Sequence, residues 1–123
     1  MADKRGISGR NWARLDNTLG VPTFVLSKDV LASSTTSVVA DAPFAFRIID
    51  AWSIGTTATG GTWRLNNGSA DITTDVTQGP SNYDVDRADN IVNTYYTISK
   101  GDGFDIITGV GITCTVYVLC VRV

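Results

Sequence analysis

Apolar and polar residues alternate with a period of two along much of this chain, the spacing of strands buried on one face. In PFAFRIIDAWSI, residues 43 to 54, this places Phe44, Phe46, Ile48, Trp52 and Ile54 on one face. Ala45, Arg47, Ile49, Ala51 and Ser53 fall on the other, and Asp50 is an exception on the apolar side. VPTFVLSKDVL, 21 to 31, reads as an edge strand with Pro22 confined to its start, where a missing donor does no harm. SSTTS at 33 to 37 reads as a polar connection, and GTTATGGT at 55 to 62 as a turn or flexible loop. TWRLNNGSADIT carries Asn67-Gly68 between two short alternating segments, a hairpin signal. Trp63, Leu65 and Ile72 would face its core, with Thr62, Arg64, Asp71 and Thr73 towards solvent.

The most polar stretch, DVTQGPSNYDVDRADN at 75 to 90, contains Gly79-Pro80 and predicts a long exposed loop or a loop containing one short helical turn. Strand character resumes at IVNTYYTI, 91 to 98, and turns at Lys100-Gly101-Asp102-Gly103. It then runs through FDIIT into GITCTVYVLCVRV. That last segment is apolar on both faces, with Ile112, Cys114, Val116, Val118 and Cys120 on one and Tyr117, Leu119, Val121 and Val123 on the other. A strand covered on both sides meets either a crossing strand or another copy of the chain. Tyr117, Leu119, Val121 and Val123 are therefore candidates for an oligomer interface.

Composition agrees with the pattern. There are sixteen Thr, thirteen Val and ten Ile against six Leu, and twelve Asp with no Glu, so residues suited to pleated surfaces and turns dominate. The expected fold is all-β: one β-sandwich, jelly-roll-like or small-barrel domain over residues 21 to 123. Residues 1 to 20 break any period with Gly6, Gly9 and Gly20 and carry Lys4, Arg5, Arg10 and Arg14 against Asp3 and Asp16, a local charge of +2. They read as an extended N-terminal arm with Trp12 as an anchor; the plainer alternative is a frayed, solvated terminus.

With a total charge of -2, the rest of the chain carries about -4 and offers no basic field for nucleic acid. No apolar run suits a membrane span or a secretory signal, so neither a nucleic-acid nor a membrane partner is expected and synthesis in the cytoplasm is. Zero His and zero Glu remove the commonest general base and much of the supply of paired carboxylates, which disfavours an enzyme. Cys114 and Cys120 lie six apart on one strand, about 20 Å along it, too far to pair with each other, and read as buried thiols. Asp84, Asp86 and Asp89 could offer clustered oxygens to a calcium ion, but the Gly and acidic residue of a helix-loop-helix site are missing, and a solvated acidic loop is the plainer reading. No cofactor is expected. Trp12, Trp52 and Trp63 with Tyr83, Tyr95 and Tyr96 could form a sugar-stacking platform, although Trp52 and Trp63 occupy positions that face inward by alternation.

PFAFRIIDAWSI with its Gly/Thr loop, the TWRLNNGSADIT hairpin, the Asp/Asn-rich middle, ISKGDGFDIITG and the closing ITCTVYVLCVRV together resemble the small β-rich decoration or cement proteins of tailed bacteriophages. The resemblance covers residues 43 to 123. It implies a homotrimer on the capsid exterior of a virion, bound to the major capsid protein, with an N-terminal arm that becomes ordered there. Lys4, Arg5, Arg10 and Arg14 would then meet acidic capsid surface beside Trp12. The alternatives are a carbohydrate- or receptor-binding module of a fibre or surface protein, and the head domain of another trimeric structural protein.

Overall fold

Strand pairing in this chain is nested, so that early strands return to late ones. The computed structural model describes residues 23 to 92 and 94 to 123. Its strands are β1 (Thr23–Val30), β2 (Thr35–Val39), β3 (Phe46–Gly55), β4 (Gly61–Asn66), β5 (Val76–Gln78), β6 (Val85–Arg87), β7 (Thr97–Ile98), β8 (Phe104–Thr108) and β9 (Cys114–Arg122). β4 pairs with β5, β3 with β6, β2 with β8 and β1 with β9, all antiparallel. This is one long hairpin ribbon, and it rolls up when β3 also bonds β9 and β4 also bonds β8. The result is two sheets, β1-β9-β3-β6 with β7 attached to β3, and β2-β8-β4-β5. Apart from the two-residue β7, these are two four-stranded sheets wound from such a ribbon, the arrangement of an eight-stranded jelly roll, one of the architectures expected from the sequence.

The core between the sheets follows from alternation. Ile48, Val116, Val118, Cys114 and Cys120 from the first sheet meet Trp63, Leu65 and Ile106 from the second and Ile72 from the β4–β5 connection, all essentially without exposure. One end of this core is aromatic: Phe24, Phe44, Phe46 and Phe104 pack edge to face with ring centroids 5.5 to 6.4 Å apart. β9 is central in its sheet, between β1 and β3; Cys114, Val116, Val118 and Cys120 face the core, while Tyr117 and Leu119 lie on the outer face. β1 lies at the edge of the same sheet among the described residues, as its Pro-led sequence predicts. Opposite Val116 it places Lys28, whose side chain is directed to the core side but stays exposed at the open rim.

Several local expectations are corrected. The strand at 43 to 54 does not keep one apolar face, because the register against β9 shifts between Ile48 and Asp50. Ile49 is the extra residue of a β-bulge, so Ala51 and Ser53 turn inward while Trp52 and Ile54 turn outward, and Asp50 is no longer an exception. Residues 33 to 37 are not only a connection, since β2 begins at Thr35. The segment 75 to 90 is not one loop: β5 and β6 are short strands that take their partners from β4 and β3. Residues 91 to 98 form only the bridge Thr73–Ile91 and the two-residue β7, with the chain turning as the Tyr95 N–H donates to the Val92 carbonyl (3.0 Å). Thr73 is buried, its hydroxyl accepting the Leu65 N–H at 3.0 Å. The Asn67-Gly68 hairpin is present, with Gly68 at φ 96° and the Asn67 Oδ1 accepting the Ser69 and Ala70 amides.

The inward turn of Ser53 creates a buried polar node. Trp63 Nε1 donates to Ser53 Oγ at 2.9 Å, Ser53 Oγ donates to Gln78 Oε1, and Gln78 Nε2 donates to the Asp84 carbonyl at 3.1 Å. Ser53, Trp63 and Gln78 are all at most 1% exposed, so every member must find its partner inside the protein. Ser53→Ala therefore leaves an indole N–H and an amide oxygen unmatched and should lower stability by about 1–3 kcal/mol, read as a shift in the urea midpoint at unchanged slope.

The thiols supply a second expectation. Cys114 and Cys120 are free and buried. Burial, helped by the negative charge of Asp29, pushes the Cys114 thiol up to about 11, and burial alone pushes Cys120 up to about 12. Because the folded values lie above the ordinary 9.0, the neutral thiols favour the folded state fully below that pH, and this contribution is lost as pH rises through the folded values. The unfolding midpoint should fall between about pH 9 and 11, and the fall should be shallower in a Cys114→Ala, Cys120→Ala double variant. Thiol titration of the native protein at neutral pH should proceed only as fast as the protein opens.

Candidate functional site

Two surfaces can do work on a partner. The first is the outer face of the β1-β9-β3-β6 sheet, whose rows follow from the pairing. Thr23, Val121 and Arg47 form one row; Val25, Leu119 and Asp50 the next; then Ser27, Tyr117, Trp52 and Arg87; then Asp29, Thr115, Ile54 and Val85. Its centre is apolar. Trp52 and Tyr117 stack at 5.7 Å with their planes 10° apart, and Val25 and Val85 stand 51% and 62% exposed towards its two edges. The charges on it are partly matched: Asp50 Oδ2 pairs with Arg87 at 3.2 Å, and Asp50 Oδ1 accepts the Ala51 N–H. Arg47 lies over the Tyr96 ring at 5.4 Å to the centroid.

Of the four interface candidates, Tyr117 and Leu119 sit half-buried on this face. Val121 is buried at 6% exposure, so little of its surface remains to offer. Val123 follows the end of β9, 53% exposed, its N–H donating to the Ala45 carbonyl at 3.2 Å. Lys4, Arg5, Arg10, Trp12 and Arg14 lie outside the described residues. Trp52 belongs to the outer face, contrary to its inward assignment by alternation; Trp63 is in the core as expected. The sheet itself thus separates two members of the supposed sugar platform.

The second surface is one end of the jelly roll. Four connections cross it side by side, each linking one sheet to the other: 31 to 34, 109 to 113, 56 to 60 and 79 to 84. At strand spacing they span about 15 Å. Hydrogen bonds lace them together, from Ser33 N–H to the Gly109 carbonyl (2.8 Å), Thr56 N–H to Thr113 (3.3 Å) and Tyr83 N–H to Gly55 (2.9 Å). Thr108 Oγ1 accepts the Ser34 N–H at 3.0 Å, which fixes the first connection to β8. Residues 31 to 34, 56 to 60, 79 to 83 and 109 to 113 include no Asp, Glu, Lys or Arg. The nearest carboxylates are engaged, Asp29 accepting from Thr115 Oγ1 (2.7 Å) and Asp84 from the Ser81 N–H (3.2 Å). Connections at the opposite end hold Asp41, Asp71, Asp75, Asp89 and Asp102 against Lys100.

The uncharged end exposes Leu31 (68%), Tyr83 (77%) and Val110 (85%). Tyr83 has φ 69°, a left-handed conformation that costs a residue with a Cβ about 1–2 kcal/mol. Sequence reasoning named Tyr83 only as part of a scattered aromatic set and missed Leu31 and Val110. The available signal was the shared lack of charge in four separate turns, visible only once topology brings those turns together.

Asp84, Asp86 and Asp89 are not gathered into a cation site. Asp86 Oδ2 accepts the Gly79 N–H at 2.8 Å while Asp84 turns to Ser81, and the described residues contain no group of three or more His, Cys, Asp or Glu side chains placed to hold a metal.

No protein-family model matches the chain, and no curated protein does. The solved structures similar to it include two of different kinds. One is from a study of Bacillus endospore appendages as a novel family of disulfide-linked pili, at TM-score 0.41 and 10% identity, covering 83% of this chain and 86% of that one. The other is from infectious bursal disease virus, Gx strain, at TM-score 0.39 and 11% identity, covering 83% of this chain and 32% of that one.

Because the carboxylates of Asp84 and Asp86 are already committed to separate backbone amides, millimolar calcium should leave the thermal midpoint unchanged. A calcium-dependent rise, abolished by Asp86→Asn, would show that the loop rearranges to bind the ion.

Proposed function

We propose that this chain is a non-enzymatic structural protein of a virion, a decoration or cement protein that binds the exterior of a bacteriophage head as a homotrimer. The observation that carries this reading is the outer face of the β1-β9-β3-β6 sheet. A jelly roll satisfies its core between its sheets, yet here Trp52, Tyr117, Leu119, Val25, Ile54 and Val85 give the solvent side of one sheet an apolar centre. A further copy of the chain buries that surface, and Tyr117 and Leu119 lie at its middle. Supporting this are the resemblance of residues 43 to 123 to phage cement proteins and the lack of His and Glu, which leaves acid-base catalysis few groups.

In this reading the major capsid protein is the partner and residues 1 to 20 are the arm that reaches it. Stabilisation is mechanical. A trimer touches several shell subunits at once, so opening the shell requires breaking linked attachments together.

Light scattering at micromolar concentration should give a trimer mass, with Val25→Asp and Leu119→Asp shifting it to monomer; Val25 is exposed enough to change without disturbing the core. A wild-type monomer that also stays monomeric on capsids overturns the trimer. Deleting residues 2 to 19 should leave a folded β domain and abolish co-sedimentation with undecorated heads. Attachment of the full chain should weaken with salt as screening shortens to about 3 Å near 1 M, whereas Trp12→Ala should cost binding at every salt concentration. Unchanged saturation of heads by the truncated protein would sink the arm reading.

A further inference from the structure

We propose that the uncharged end of the jelly roll is a binding site for a neutral saccharide, with the ring of Tyr83 as its stacking platform. This goes beyond capsid attachment and does not depend on it.

The argument begins with what Tyr83 does for its own chain. Its backbone is in the left-handed region, where glycine would sit without strain. Its ring is 77% exposed and, among the described residues, enters no aromatic pair. The surroundings enforce that conformation. The Tyr83 N–H is held by the Gly55 carbonyl, the Gly55 N–H by the Asp84 carbonyl, and the Gly79 N–H by the Asp86 carboxylate. Buried Gln78, through its bond to the Asp84 carbonyl, fixes the same turn from below. An over-determined, strained and exposed aromatic is the mark of a group presented to a ligand.

The surroundings then select the ligand's chemistry. Ser81 and Asn82 precede Tyr83 and are exposed, and Thr56, Thr57 and Thr59 are exposed on the neighbouring connection, which the Tyr83 N–H ties to this one through Gly55. Thr57 and Thr59 hydroxyls already contact each other at 2.7 Å, a pair that can both donate and accept. An anionic ligand meets no cation in these turns, and the one carboxylate among them, Asp84, is turned to the Ser81 N–H. A sugar ring lays its C–H face on an aromatic and directs hydroxyls to neutral amides and hydroxyls, and those are the groups present. The rigid lacing of the four turns means that little ordering cost falls on binding.

The test uses the full-length protein labelled on its lysines, none of which lies in these connections. It is applied to an immobilised panel of neutral hexose and N-acetylhexosamine oligosaccharides, with sulfated and sialylated ones alongside. Wild-type protein should be retained by at least one neutral saccharide, with binding indifferent to sodium chloride. Tyr83→Gly should weaken it about ten-fold or more in calorimetry while the thermal midpoint holds or rises, because the variant relieves the strained backbone. Tyr83→Phe keeps the ring and should bind within about three-fold of wild type. Wild-type protein that ignores every neutral saccharide, or is retained only by charged ones, overturns the proposal; so does a Tyr83→Gly variant that binds as well as wild type. If Tyr83→Gly loses attachment to heads while no saccharide binds, the ring is a protein contact and the proposal falls.

Discussion

One extra residue in β3 decides where most of the important side chains go. Unbroken alternation from Phe46 onward, with no bulge at Ile49, would send Asp50, Trp52 and Ile54 into the core and Ser53 to solvent. With it, the three inward positions after the bulge hold Ala51, Ser53 and Gly55, all buried and all small. That space is filled from the opposite sheet by Trp63, whose indole N–H then needs an acceptor and finds Ser53. Gln78 completes the node and passes the constraint to the turn that carries Tyr83. The same bulge places Trp52 outside, where it stacks on Tyr117 and gives the sheet its apolar outer face. Core, polar node and both candidate surfaces therefore depend on a single register shift.

This also explains what could be read from the chain and what could not. Trp63, Leu65 and Ile72 were legible because their alternation is unbroken and an Asn-Gly turn fixes the register between them. Cys114 to Cys120 was legible because every second residue faces the core without interruption. β3 was only half legible: a bulge has no compositional signature apart from the misplaced Asp50, whose apparent burial pointed to the slip. β5 and β6 were not legible at all, since each is three residues long and owes its extended form to its partner. Ile91 to Ile98 failed in the other direction, its Tyr and Ile residues having strand propensity while their backbone turns. Tyr96 serves there to cover Arg47.

Charge divides the molecule along its long direction. The nested ribbon brings the uncharged stretches 31 to 34, 56 to 60, 79 to 83 and 109 to 113 to one end, with Asp84 as the single carboxylate in those connections, and the connections holding Asp41, Asp71, Asp75, Asp89 and Asp102 to the other. Sequence-distant segments thus acquire a common electrostatic character that none of them displays alone. Contact at the neutral end is insensitive to ionic strength, whereas contact at the acidic end, or through the basic residues near the N-terminus, responds to it.

Lys28 sets a limit on how copies of this protein can come together. Its position in edge strand β1 puts an ammonium on the core side of the sheet, in register with Val116. A strand adding to that edge would have to strip this charge of water without supplying a counter-ion. Sideways growth by backbone pairing is thus penalised, even though β1 is eight residues long and otherwise regular. Among the described residues, that edge is open to side-chain contact but closed to any strand that brings no carboxylate to meet Lys28.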